Sequence, residues 1–98
     1  MAKDIKFVAS IKHVGGTRIV LVKIGDYLYE VRREHKLLGW DGDKRAKTID
    51  EAIKIMKDWI EDGWVQKINI TGFDGKETKK KLEEAFKDVK RFNPYSYR

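Results

Sequence analysis

Apolar and polar residues alternate through the first third of the chain, and two glycine-bearing turns punctuate the alternation. Phe7, Ala9 and Ile11 keep a period of two, as do Val20, Val22 and Ile24, and then Tyr27, Tyr29 and Val31. That period marks half-buried strands, which are expected over about 5–14, 17–24 and 27–34. Gly15-Gly16 and Gly25-Asp26 suit the positive φ angles that two-residue type I′ or II′ hairpins demand. Turns of that length oppose Ile11 to Val20, Ala9 to Val22 and Phe7 to Ile24, then Val22 to Tyr29 and Val20 to Val31. Opposed residues share a face. One face then reads Phe7, Ala9, Ile11, Val20, Val22, Ile24, Tyr27, Tyr29 and Val31. The other holds Lys6, Lys12, Lys23, Glu30 and Arg32 around an apolar centre of Val8, Ile19, Leu21 and Leu28.

Beyond a loop expected over about 35–47, the pattern turns helical. Thr48-Ile49-Asp50-Glu51 reads as a capping box, the Thr48 hydroxyl accepting from the third amide while Glu51 reaches back. Ile49, Ala52, Ile53, Met56, Trp59 and Ile60 then recur at helical spacing over about 49–62, and Gly63 offers a left-handed stop. Ile68 and Ile70 alternate with Lys67, Asn69 and Thr71, which predicts a strand over 64–71. Gly72-Phe73-Asp74-Gly75 is a turn, with Asp74 and Glu77 a second N-cap pair. Leu82, Ala85, Phe86 and Val89 predict a last helix over about 75–92, ended by Asn93-Pro94. Residues 93–98 form a tail.

The order is β-β-β-α-β-α in a single α+β domain spanning 1–98. A helix joining the third and fourth strands makes those two parallel. The expectation is therefore a mixed four-stranded sheet, an antiparallel meander plus one parallel strand beside the first. Both helices cover the Phe7/Val22/Tyr29 face, and the opposite face stays open.

Composition narrows the function classes. The 98 residues carry a formal net charge of +6, with the excess at the two ends of the chain. A basic chain of this size favours anionic partners, nucleic acid first among them. Cysteine is absent, which removes disulfides, thiol nucleophiles and thiolate metal sites. No apolar run approaches the roughly 18 residues of a membrane span, and a cytoplasmic protein is expected. Lys, Glu and Ile are plentiful while Gln and Asn are scarce, a bias of heat-adapted proteins.

Two sets of residues are candidates for binding. Lys79, Lys80, Lys81, Lys90 and Arg91 on the last helix, with Lys12 and Arg32 on the open face, would neutralise phosphates. Tyr95 and Tyr97 in the tail would stack on bases. The open face itself is expected to lack rings, since Tyr27 and Tyr29 fall inward. The alternative is a protein-interaction or homodimerising surface built on Val8, Ile19, Leu21 and Leu28, with Trp40 as a loop anchor.

Enzyme signatures are missing: no nucleophile elbow, P-loop, HExxH or dinucleotide-binding glycine pattern occurs. Asp41-Gly42-Asp43 lacks the further oxygen ligands of a calcium loop, and neither His13 nor His35 has a metal-binding companion. No catalytic residue, metal or cofactor is expected. The meander followed by Thr48-Ile49-Asp50-Glu51-Ala52 and another strand is similar to small antitoxin domains of the HicB type. Gly39-Trp40-Asp41-Gly42 stands where that type has a Leu-Pro-Gly turn, and no residue role is carried over.

Overall fold

A computed structural model describes residues 5–13, 16–26, 28–35, 39–60, 65–72, 74–87 and 89, and of Trp40 and Asp41 only the backbone. The element order is β1 (Ile5–His13), β2 (Thr17–Ile24), β3 (Leu28–His35), β4 (Gly39–Ala46), α1 (Ile49–Ile60), β5 (Val65–Ile70) and α2 (Lys76–Phe86). The strands form one five-stranded sheet in the order β4-β3-β2-β1-β5. Every neighbouring pair is antiparallel.

Two expectations are corrected here, and they share a cause. The segment 35–47 is largely a strand, not a loop. Its sequence, Gly-Trp-Asp-Gly-Asp-Lys-Arg-Ala, shows no apolar alternation because it is a sheet edge, where charged side chains guard against stray pairing. That extra strand reverses the chain before α1. The helix still joins two strands that run the same way, but these are β4 and β5. β5 lies beside β1, as expected, and antiparallel to it.

The hairpin register is also shifted. Three residues, not two, connect β1 to β2 and β2 to β3. The pairs are Ile11 with Ile19, Ala9 with Leu21, Leu21 with Val31 and Lys23 with Tyr29. A slip of one residue moves a strand's side chains to the other face. Two such slips cancel across β3 and leave β2 alone inverted. Ile19 and Leu21 are therefore fully buried in the core beside Ala9, Ile11 and Val31, and Val20, Val22 and Ile24 turn outward. A register irregularity between Phe7 and Ala9 adds one further change, pairing Phe7 with Val22. Such a bulge gives β1 an extra residue, Val8, and turns Phe7 out of the core.

Both helices lie on the Ile11/Leu21/Val31 side. α1 buries Ala52, Met56 and Ile60, and α2 buries Leu82 and Phe86; all join one cluster with the sheet. The Thr48 half of the capping box forms, the Glu51 amide donating to the Thr48 hydroxyl at 3.2 Å, while the Glu51 carboxylate reaches past the cap and accepts from the Lys47 amide at 3.3 Å. At α2 the expected side-chain cap does not form. Gly75, with φ 106°, takes the N-cap position, and Asp74 turns to the sheet instead. α2 ends at Phe86, with Lys87 as its C-cap, short of the expected 92. Residues 61–64, and with them Gly63, lie outside the described residues.

Candidate nucleic-acid interface

The face opposite the helices is built from five strands, and the register arranges its side chains in rows across the sheet. At one end Lys67 of β5 stands opposite Lys12 of β1, and Lys12 stands opposite Arg18 of β2. All three are exposed. Arg18 donates to the Glu34 carboxylate on β3 through Nε at 2.8 Å. The next row runs Asn69, Ser10, Val20, Arg32 and Asp43. Beyond it come Phe7, Val22, Glu30 and Arg45, and finally Ile5, Ile24 and Leu28. The face is thus cationic at one end and apolar at the other.

Like charges placed directly opposite on neighbouring strands repel. Among the described residues the Lys67–Lys12–Arg18 row meets one carboxylate, that of Glu34, against three cations. In the middle of the face the charges balance more closely. Glu30 is buried and accepts from Arg32 Nε, at 2.5 Å, and from Arg45 Nε at 3.4 Å. Burial alone would raise its carboxyl affinity for protons. The hydrogen bond and charge of Arg32, with help from Arg45, outweigh burial and hold it below the usual carboxylate range.

At the apolar end Ile5 is 50% and Phe7 42% exposed, the large hydrophobic side chains most open to solvent among the described residues. Val22 beside Phe7 is buried, and Ile24 and Leu28 are half-buried. The open face therefore does carry an aromatic ring, contrary to expectation, because the bulge turned Phe7 outward. No alternation rule reveals a bulge. Lys67 was legible from its alternation with Ile68, and Arg18 only once the turn length is known. Arg45 belongs to the strand that sequence patterning missed.

The candidates of the sequence separate into different parts of the molecule. Lys12 and Arg32 lie on the open face. Lys79, Lys80 and Lys81 are exposed on α2, in the opposite layer, where Lys81 approaches Asp50 of α1 at 3.4 Å. One ligand lying on the sheet does not reach both sets. Lys90, Arg91, Tyr95 and Tyr97 lie outside the described residues, as does Tyr27. Of the protein-contact set, Val8, Ile19 and Leu21 are core residues, at 1% exposure or less. Leu28 remains on the open face. Trp40 lies in β4, where its backbone pairs with Glu34.

A second polar cluster ties the β5–α2 turn to the sheet. The Asp74 carboxylate accepts from Lys23 Nζ at 2.6 Å, from the Tyr29 hydroxyl and from Thr78 Oγ1 at 3.4 Å. The Lys23 ammonium also stands 5.4 Å from the centre of the Tyr29 ring. Every member faces another member, so the cluster reads as a structural latch. Among the described residues no three His, Asp or Glu side chains gather as a cation site, and no helix is long and apolar enough to cross a membrane.

No family model, no curated protein and no solved structure matches this chain.

Proposed function

We propose that this protein is a small nucleic-acid-binding module that holds phosphates on the open face of its sheet. The observation that carries the reading is the Lys67–Lys12–Arg18 row. Among the described residues these three neighbouring cations have a single carboxylate partner, so they repel one another in the free protein, and an anionic polymer would relieve that repulsion. A net charge of +6 supplies attraction at longer range. Lys79 and Lys80 of α2 add to the general field from the other layer without touching the same ligand. The cytoplasm, where nucleic acid is available, is the location that goes with this reading.

Titration of a labelled oligonucleotide at several salt concentrations tests it. Three phosphate contacts give a log–log slope of about −2 to −3. Reversing the row with Lys12→Glu and Lys67→Glu should abolish binding at low salt. Binding that ignores salt, or survives the double reversal, removes the reading. A second reading, homodimerisation, is favoured by the exposure of Ile5 and Phe7. Sedimentation at rising concentration decides it: a strict monomer ends that alternative.

A further inference from the structure

We infer that the ligand of the open face is a single strand with unstacked bases, and that Phe7 is the ring on which a base stacks. The inference rests on the phosphate-binding reading of the same face and adds the class of nucleic acid. A duplex offers phosphates and groove edges, while its base faces stay stacked on one another. It would satisfy Lys67, Lys12 and Arg18 and leave Phe7 and Ile5 in water. Reading a duplex groove also calls for a helix or ribbon that projects into it. Here both helices bury their apolar stripes against the other side of the sheet, so neither projects from the open face.

A single strand presents phosphates and bare aromatic faces together, and the open face offers a partner for each. Lys12 and Phe7 lie on the same strand and on the same face, five positions apart. They stand roughly 15 Å from each other along the strand. That spacing falls within the contact length of single-strand sites, which begin at about four nucleotides. Between the two ends lie Ser10 and Val20 in one row and Val22 in the next. These are small side chains over which a sugar–phosphate backbone can pass. Phosphates would therefore sit at the cationic row while a base two or three nucleotides along reaches Phe7. A ring stacks on any base, so little sequence preference is expected.

Three probes of about twelve nucleotides, a length that spans one such site, separate the possibilities: oligo(dT), a duplex, and an abasic sugar–phosphate strand. Anisotropy should show oligo(dT) bound about tenfold more tightly than either of the others. Phe7→Leu, which keeps an apolar side chain at an exposed position, should bring oligo(dT) down to the level of the abasic strand without changing its salt slope. Phe7→Trp should keep or improve the affinity, which guards against a folding artefact. An abasic strand or a duplex bound as tightly as oligo(dT) overturns this inference and leaves phosphate binding standing. Failure of all three probes to bind overturns the parent reading as well. A dimer that Phe7→Leu dissociates, with strand affinity unchanged, also overturns the inference and assigns Phe7 to contact with a second copy.

Discussion

The Tyr29 hydroxyl donates a hydrogen bond to the Asp74 carboxylate, although 45 positions separate the two residues in the chain. The bond fastens the turn before α2 to β3, and Lys23 of β2 closes it from the other carboxylate oxygen at 2.6 Å. Burial pushes the Tyr29 hydroxyl well above its ordinary value of 10.0, and Asp74 pushes it further. For Asp74 burial acts upward, but hydrogen bonds from Lys23 and Tyr29 outweigh it and hold the carboxyl below its ordinary 3.8.

The latch should therefore weaken at both extremes of pH. Asp74 binds protons less readily in the folded protein, so its contribution is present above about pH 4 and disappears as pH falls through the folded value. Tyr29 keeps its proton more firmly when folded, so its contribution holds below about pH 10 and declines as pH rises beyond it. Asp74→Asn should cost about 2 kcal/mol at neutral pH, the scale of hydrogen bonds to a charged group. Denaturant unfolding from pH 2 to 7 should show the variant and the parent converging on acidification. Curves that stay parallel would mean that the carboxylate's charge plays no part.

The inverted β2 gives a second prediction. Leu21 is fully buried, while Ile24, three positions on, is half-buried on the open face. Leu21→Ala should cost about 2–5 kcal/mol, the range for deleting a core side chain. Ile24→Thr should cost less than about 1 kcal/mol, since partial burial scales the loss down. A two-residue turn would reverse the order of the two variants. Thermal unfolding of both decides the register without any ligand.

Much of the architecture was readable because periodicity reports local geometry. The three strands of the meander, the Thr48 cap, α1, β5 and the apolar stripe of α2 all follow from residue spacing. What escaped depends on facts of another kind. The glycines at 15, 16 and 25 say that the chain turns, but whether two or three residues form the turn depends on how the strands pair. One residue of difference put Ile19 and Leu21 on the wrong face. β4 was missed because an edge strand has no need of apolar alternation, and Phe7 because a bulge breaks the very rule used to place it. The candidate site suffered most. Lys12, Glu30 and Arg32 do lie on the open face, but Lys23 stands opposite Tyr29 on the helix side, with Lys6 opposite it, and the neighbours Lys67, Arg18 and Arg45 depend on register and on the unseen strand.

Glu30 sets stability against binding. Its buried carboxylate is the acceptor for Arg32 and for Arg45, and it cancels part of the positive charge of the face. Glu30→Gln should destabilise the fold by about 2 kcal/mol, because two guanidinium groups lose a charged acceptor. The same change should tighten oligonucleotide binding by roughly fivefold at low salt, the effect of about 1 kcal/mol of screened attraction. Unfolding and anisotropy on one preparation measure both. A variant that loses stability without gaining affinity would confine Glu30 to a structural role.

The cation row makes the reverse prediction. Lys12 is exposed between Lys67 and Arg18, so its charge repels both neighbours in the free protein. Lys12→Gln keeps most of the stem and removes the charge. It should raise stability at low salt by up to about 0.5 kcal/mol, the scale of a like-charge cross-strand pair. The gain should vanish near 1 M salt, where the screening length falls to roughly 3 Å. The same substitution should weaken oligonucleotide binding and flatten its salt slope by about 0.7, the value of one phosphate contact on a single strand. A row that served only to solvate the face would show the same gain in stability and would leave the slope unchanged. The change in slope, read on the same variant as the change in stability, is what separates a phosphate-binding row from one that is merely charged.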